Sequence, residues 1–345
     1  MSIKKKERVL YYDILNIIAI ISVVAMHCNG IVHTYSKVRA WQTSLIIDCV
    51  CYFAVPVFLM ISGANLLNYR EKYDTMTFFK KRFTKVLIPG LFWIAVMTIW
   101  KLYLGQIEIH SFSNLLDIII NNKEEFTYYF IWDILGIYLT IPLFSRLITN
   151  KKEDNKLLWY IIIVFFLFNS LLPYLLSTIH VAYNYSFSLQ IGSLSIYVIL
   201  GYLLANTEID KKKRIALYIF AILGVLFRYF MTYYYSNKYG FIDKSTWGYT
   251  QFHTIILSSA VFIFFKYLKY DKVSEKTRKV LAKVSSCSFG IYLIHLIVKH
   301  YEIRLFNLNV YSWEFRTIGV VTTYLISLII ILILKKIPII KKIVA

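Results

Sequence analysis

Three polar side chains, Asp13, Asn16 and His27, lie in the first apolar segment of the chain. At about 100° per residue, the steps from Asn16 to His27 close three helical turns to within about 20°, and Asp13 falls within about 60° of Asn16. All three residues therefore share one face of a helix. Asn16 and His27 are about 16 Å apart along its axis, a spacing that suits a path between helices better than a single pocket.

Of these residues, His27 has the side chain best able to take a proton from a hydroxyl group near neutral pH. A polar side chain inside a lipid bilayer is costly unless it faces protein or water, so its presence there indicates a site. A second interpretation stays open, in which His27 only forms a hydrogen bond to a neighbouring helix.

A short basic loop carries Lys80, Lys81, Arg82 and Lys85 and ends at Pro89, where another apolar segment begins. Four cations at a membrane entrance favour a polyanionic ligand such as a phosphate ester. Charges that orient the chain in the membrane and contact lipid headgroups explain the same residues equally well.

Other polar residues fall within later apolar segments. Trp132 belongs to an aromatic belt typical of a membrane interface. His295 lies in a segment rich in Ser and Gly. It is interpreted either as a site residue or as the partner in a structural hydrogen bond. Asp48 and Arg228 are ionisable residues in two other segments, and each suits an internal ion pair whose partner the residues leave open.

The elements that position these residues follow from composition. The chain has 345 residues, of which 58% are hydrophobic and 17% charged, and Gly and Pro are scarce. Apolar runs of about twenty residues, long enough to cross a bilayer, recur along it. We predict an all-α polytopic integral membrane helix bundle with about ten transmembrane helices, forming a single domain over residues 1–345. The predicted spans cover residues 10–32, 44–68, 86–100, 128–145, 157–177, 186–205, 215–233, 251–265, 281–298 and 317–334.

The net charge of +20 would suggest a nucleic-acid partner in a soluble protein. Here, 29 of the 39 Lys and Arg residues fall in or at the edge of the segments on the side of the N-terminus, 9 fall on the other side, and Arg228 lies deep within a span. This bias predicts a multi-pass cell-membrane protein with both termini in the cytoplasm. Membrane lipid is therefore an expected partner, and nucleic acid is not.

The four cysteines have no metal-ligand spacing, and no metal site is predicted. All lie within or at the ends of spans, which favours inert packing residues. A disulfide between Cys28 and Cys49 is the alternative.

Five stretches resemble, in order, the acyltransferase-3 family of membrane acyltransferases. The first runs from Arg8 to His27. The others are residues 55–63 (VP-x-F-x-x-ISG), 79–89 (a basic pair followed by Pro), 131–142 (W-x-x-x-x-G-x-Y-x-x-x-P) and 288–295 (SFGIYLIH). His27 matches the second half of a family motif in which a basic residue precedes His by eleven positions. Asn16 stands where the family usually has Arg, and Tyr52 stands where a basic residue tends to precede the second-helix Pro.

The resemblance implies transfer of an acyl group, usually acetyl, from cytoplasmic acyl-coenzyme A to a hydroxyl of a surface glycan or its lipid-linked precursor. Acetyl-CoA or another acyl-CoA is then the donor substrate, and no bound cofactor is expected. Arg82 and Lys85 would bind the donor phosphates, and His27 would act as general base or receive the acyl group transiently, with Asp13 and Asn16 along its path. His295, with Trp132 and Tyr138, would support the acceptor.

Two other functions stay open. A glycan exporter or flippase with this fold and no transfer chemistry would suit the neutral residues at positions 16 and 52. A structural or sensory membrane subunit would neither transfer acyl groups nor move glycan.

Overall fold

The computed structural model describes residues 8–148, 152–192, 194–338 and 340–344, without the side chains of residues 152–154, 187 and 342. Over these residues the chain forms fifteen α-helices and no strand. In order, the helices are α1 Leu10–Cys28, α2 Arg39–Cys51, α3 Ala54–Leu66, α4 Thr75–Arg82, α5 Ile88–Tyr103, α6 Phe112–Ile120, α7 Tyr129–Phe144, α8 Lys152–Phe165, α9 Leu172–Thr178, α10 Ser195–Asn206, α11 Lys211–Tyr239, α12 Phe252–Lys266, α13 Glu275–Ser285, α14 Ser288–Leu305 and α15 Trp313–Leu334.

Within the described ranges, seven helical runs are long and apolar enough to cross a membrane. An eighth span arises if α13 and α14, which meet at 56°, count as one broken helix. α10 and α12 are also apolar but shorter, with 12 and 15 residues. The predicted all-α membrane bundle is confirmed, whereas the count of ten spans stays a prediction.

The second predicted span is interrupted between α2 and α3, and Pro56 explains the break. Proline has no backbone N–H, so the carbonyl of Tyr52, four residues earlier, has no helical partner. Helix α2 accordingly ends at Cys51, and α3 begins at Ala54. This break turns Tyr52 toward α11.

Two other prolines follow π-helical turns. Phe83–Leu87 precedes Pro89 in α5, and Phe166–Leu171 precedes Pro173 in α9. A wider turn accommodates the proline ring where a regular helix would clash with the carbonyl four residues back. The first of these turns carries Thr84, Lys85 and Val86, which all line the cavity described below.

Helices α3 and α10 cross with their backbones in contact. A Cβ atom at Gly63 would lie 1.9 Å from the Val198 carbonyl oxygen, and one at Gly201 would lie 2.1 Å from that of Met60. Only glycine fits at either position, because a methyl group would overlap backbone that cannot move aside. Small residues such as Ser62 and Gly63 allow helices to approach this closely.

Two predicted spans differ in extent from the helices. The sixth was placed at residues 186–205, yet α10 begins only at Ser195. The Asn169 side chain bonds both the amide and the carbonyl of Leu189, which holds the preceding segment in an irregular conformation. The ninth, at residues 281–298, breaks at Ser286, where the polar helix α13 meets the apolar helix α14. Apolar composition alone did not reveal either break.

All four thiols are free. Cys28, Cys49 and Cys287 are buried, and Cys51 is half-buried. The interpretation as packing residues is confirmed, and the alternative disulfide between Cys28 and Cys49 is wrong.

Candidate active site

A cavity of about 1270 Å³ lies between α1, α3, α7 and α14. It is larger than the roughly 300–1000 Å³ of most small-molecule sites. One part is lined by four cations, Arg82, Lys85, Lys335 and Lys341, which we call the basic mouth. Another part is lined by Thr127, Tyr129 and Tyr249, which we call the aromatic end.

Helix α7 runs from the aromatic end of the cavity to the basic mouth. Tyr129 lies in its first turn, and Tyr138, nine residues later, lies beside Arg82 in the basic mouth, with the guanidinium carbon 5.6 Å from the ring centroid. At 1.5 Å per residue the two tyrosines are about 14 Å apart along the helix. The cavity is therefore elongated and suits a long ligand.

The basic mouth has no compensating acid. Within the described part of the chain, no Asp or Glu lines the cavity, and none of the four cations forms an ion pair. Arg82 stacks on Phe78 and Tyr138, and its Nε atom is buried with no hydrogen-bond partner. Unpaired donors around one opening attract an anion with several oxygen atoms.

His27 and His295 form a stacked pair, in which the half-buried His27 borders the cavity. The ring centroids are 4.9 Å apart at an interplanar angle of 9°, and His27 Nδ1 lies 2.6 Å from His295 Nε2. On its other side, His295 Nδ1 lies 2.7 Å from the Tyr292 carbonyl oxygen and 3.1 Å from that of Ile291. Both rings are thus fixed in orientation.

These contacts assign the proton positions of the neutral pair. A carbonyl oxygen only accepts, so His295 Nδ1 carries the proton and its Nε2 is an acceptor. His27 Nδ1 must then donate to that acceptor, which leaves the lone pair of His27 on Nε2. No described residue forms a hydrogen bond with His27 Nε2, and this atom is not buried away from the cavity. His27 therefore presents a free base to the cavity.

Other polar contacts hold α1 against α13 and α14. Lys299 Nζ donates to the His27 carbonyl oxygen at 3.1 Å. Asn16 Nδ2 donates to Ser285 Oγ at 3.3 Å, and Ser288 Oγ reaches the Asn16 carbonyl oxygen at 3.5 Å. His27 and Asn16 consequently line the same cavity, Asn16 nearer the basic mouth.

The family model of the acyltransferase-3 acyltransferase domain matches residues 9–332. The chain belongs to the acyltransferase-3 family. This match covers nearly the whole chain and, together with the helical bundle, supports a membrane acyltransferase. No curated protein and no solved structure matches it.

Among the expected site residues of this acyltransferase, Asn16, His27, Arg82, Lys85 and Tyr138 line the cavity. Tyr138 lies beside Arg82 in the basic mouth, and its expected role in supporting the acceptor stays a prediction. His295 is fully buried behind His27 and contacts the cavity only through it.

Two expected residues lie elsewhere. Asp13 is buried and forms an ion pair with Arg8 at 2.5 Å, so it does not line the path along α1 as expected. Trp132 does not line the cavity, and its indole Nε1 is buried without a hydrogen-bond partner. A neighbouring cation explains the position of Asp13, because a buried carboxylate is stable only when paired.

The buried acid and base predicted in separate spans pair with each other. Arg228 Nη2 donates to Asp48 Oδ2 at 2.6 Å, and both side chains are almost fully buried. The guanidinium carbon lies 3.5 Å from the ring centroid of Tyr52. A cation from α11 therefore stacks on the neutral residue that stands at a usually basic family position.

Three cavity residues were not predicted from the sequence, namely Lys335, Lys341 and Tyr249. The two lysines follow the last span, and the predicted topology places them on the same side of the membrane as the basic loop. That shared side is the signal that could have identified them. Tyr249 lies in the loop between α11 and α12, where no helical periodicity predicts which way a side chain points. In the described ranges, no three His, Cys, Asp or Glu side chains cluster in a way that could hold a metal ion.

Proposed function

We propose that this protein transfers an acyl group, most simply acetyl, from acyl-coenzyme A to a hydroxyl of a surface glycan or its lipid-linked precursor. The observation that carries the proposal is the free Nε2 of His27, which borders a cavity between a cation-lined and an aromatic part. A base between a cation-lined part and an aromatic part of one long cavity suits transfer between two large substrates.

The basic mouth suits the donor. Coenzyme A carries a pyrophosphate and a further phosphate, which match Arg82 and Lys85, two cations without acidic neighbours. Its pantetheine arm is long and mostly neutral. The cavity wall between the basic mouth and His27 is also neutral, since it includes Ile61, Ser62 and Phe58. In this proposal the basic mouth opens to the cytoplasm, and the thioester reaches His27.

The aromatic end suits a sugar acceptor. Tyr129 donates to the Tyr249 hydroxyl at 3.0 Å, so one hydroxyl proton of the pair is left for a ligand. Flat aromatic walls with a few fixed polar groups match a ring that has apolar faces and hydroxyl edges. The acceptor would enter from the outer side.

The reaction then needs only the chain's own residues. His27 Nε2 takes the proton of the acceptor hydroxyl as its oxygen attacks the thioester carbonyl carbon. The C–S bond breaks, and the coenzyme A thiolate takes the proton back from Nε2. His295 stabilises the transient imidazolium, because its Nε2 accepts from His27 Nδ1 as the orienting third group of a catalytic triad does. Transient acylation of His27 is a variant of the same scheme.

The test is acyl transfer from radiolabelled acetyl-CoA by the protein in membrane vesicles that contain the native glycan. His27→Gln keeps a donor toward His295 but has no base, and we expect transfer to fall about 10²–10⁴-fold. His33→Ala is the control, since that histidine is exposed and outside the cavity. Undiminished transfer by His27→Gln would reject the role of His27.

The same assay separates the alternative function. A glycan exporter or flippase would move glycan across the membrane and leave no label on it. Unlabelled glycan together with glycan transport by the wild-type protein would therefore replace acyl transfer with transport.

A further inference from the structure

The segment after α15 folds back into the bundle. We call residues 335–338 and 340–344 the C-terminal strap. Val344 is fully buried, and its carbonyl oxygen lies 2.8 Å from the position that a Cβ atom at Gly290 would occupy. Ile343 lines the cavity. The strap is therefore packed against α14 and forms part of the cavity wall.

Two lysines of the strap belong to the basic mouth. Lys335 Nζ donates to the Ser286 carbonyl oxygen at 2.7 Å, at the break between α13 and α14. One hydrogen bond to a neutral carbonyl leaves its charge uncompensated and two N–H groups available. Lys341 lines the same cavity and is exposed, with no ion pair to any described residue.

The other two cations come from a separate element, since Arg82 and Lys85 lie at and within the π-helical turn before α5. Each element thus contributes two cations to the wall of one cavity. A single phosphate needs only one such pair, whereas a ligand with several phosphate groups can engage both. No acid lines the described part of the opening to neutralise either pair.

We propose that Lys335 and Lys341 bind phosphate groups of the donor, so that the C-terminal strap forms one wall of the donor site. This inference rests on the proposed function. Phosphate chemistry of this kind has two sources, the phosphates of acyl-coenzyme A and the headgroup of an anionic lipid. We assign the strap lysines to the donor.

The experiment compares two donors, acetyl-CoA and S-acetylpantetheine, which has the same thioester and no phosphate. Lys335→Gln/Lys341→Gln should lower kcat/KM for acetyl-CoA about tenfold and leave that for S-acetylpantetheine unchanged. Lys336→Gln is the matched control, because Lys336 is an adjacent exposed lysine that does not line the cavity. It should change neither value.

Equal losses with both donors would overturn the inference, because the strap would then act on folding and not on phosphate. A loss seen only in phosphatidylglycerol vesicles, and absent in phosphatidylcholine vesicles, would also overturn it and assign the lysines to lipid.

If the wild-type protein transfers from neither donor, the proposed function fails by itself. Calorimetric binding of coenzyme A to the purified protein then tests the strap directly. Binding weakened about tenfold by the double variant, and not by Lys336→Gln, would support the inference, and unchanged binding would overturn it.

Discussion

The bundle contains two buried pairs of ionisable side chains that differ in access. His27 and His295 lie beside the cavity, and one nitrogen of the pair has no protein partner. Asp48 and Arg228 lie where α2 packs against α11, with direct ionic contact and aromatic cover from Tyr52. We call these the open pair and the sealed pair.

The comparison shows that a polar residue inside a membrane bundle is not a reactive site by its type alone. Both pairs are costly to bury, and both would be selected as sites from the sequence. The sealed pair satisfies its charge internally, and so it contributes to structure. The open pair keeps one unsatisfied lone pair facing a space that a ligand can enter, so it is available for chemistry.

The largest effect on stability is expected at the sealed pair. Arg228→Met leaves the Asp48 carboxylate buried and unpaired, and should lower the free energy of unfolding by about 3–5 kcal/mol. Asp48→Leu/Arg228→Met removes both charges and should recover most of that loss. Denaturant unfolding in micelles measures both. A single variant as stable as the wild type would show that the pair is not sealed from water.

The next effect is expected at the crossing of α3 and α10. Gly201→Ala places a methyl group 2.1 Å from a backbone carbonyl oxygen and should cost about 3 kcal/mol, because the two helices must separate. Gly136→Ala in α7 is the matched control, since no atom lies within 4 Å of the position that its methyl group would occupy. Thermal unfolding of the two variants distinguishes them, and similar melting temperatures would contradict the close crossing.

A smaller energetic effect, confined to chemistry, is expected at the open pair. His295→Leu removes the acceptor for His27 Nδ1 and frees the ring to turn, which should lower acyl transfer about 10- to 100-fold. His295→Gln offers a carbonyl oxygen to the same atom and should retain more activity. Transfer per folded molecule is the measurement. Equal activities of the Leu and Gln variants would indicate that His295 only fills space.

The last effect appears only as the pH rises, and it concerns a buried acid that has no cationic partner. Glu124 precedes the helical run that contains α7, and both its carboxylate oxygens are buried without a partner. Burial raises the pKa of Glu124 to about 7. The folded state therefore holds this proton more tightly than the unfolded state, and stability decreases as the pH rises from the ordinary carboxyl range through 7.

Glu124→Gln removes that dependence. Relative to the wild type, the variant should gain about 2–3 kcal/mol in free energy of unfolding between pH 5 and pH 8. A pKa raised from the ordinary 4.5 to about 7 corresponds to about 1.4 kcal/mol per unit, and part of that stability is already lost by pH 5. Unfolding at the two pH values measures the difference. The same gain at both values would attribute the effect to packing and not to ionisation.

Local signals predicted several features because their causes are local. Small adjacent residues at 62 and 63 are typical of a close helix crossing, and Pro56 is typical of a break that frees a carbonyl. Helical spacing placed Asn16 and His27 on one face, and both line the cavity. The same spacing grouped Asp13 with them, yet Arg8 draws its carboxylate out of that path. Helical periodicity predicts which face of a helix a side chain lies on, but not which residue that side chain contacts.

The sequence by itself determined the membrane-spanning helical class, the family motifs and the histidine on the first helix, because hydrophobic run length and helical periodicity are properties of consecutive residues. Only the tertiary structure decided which polar residues meet. It joined His27 to His295 and Asp48 to Arg228, and it brought Lys341 and Arg82 to the wall of one cavity. The physical reason is that helix packing sets distances between segments far apart in the chain, and those distances decide whether a charge is neutralised or left free for a ligand.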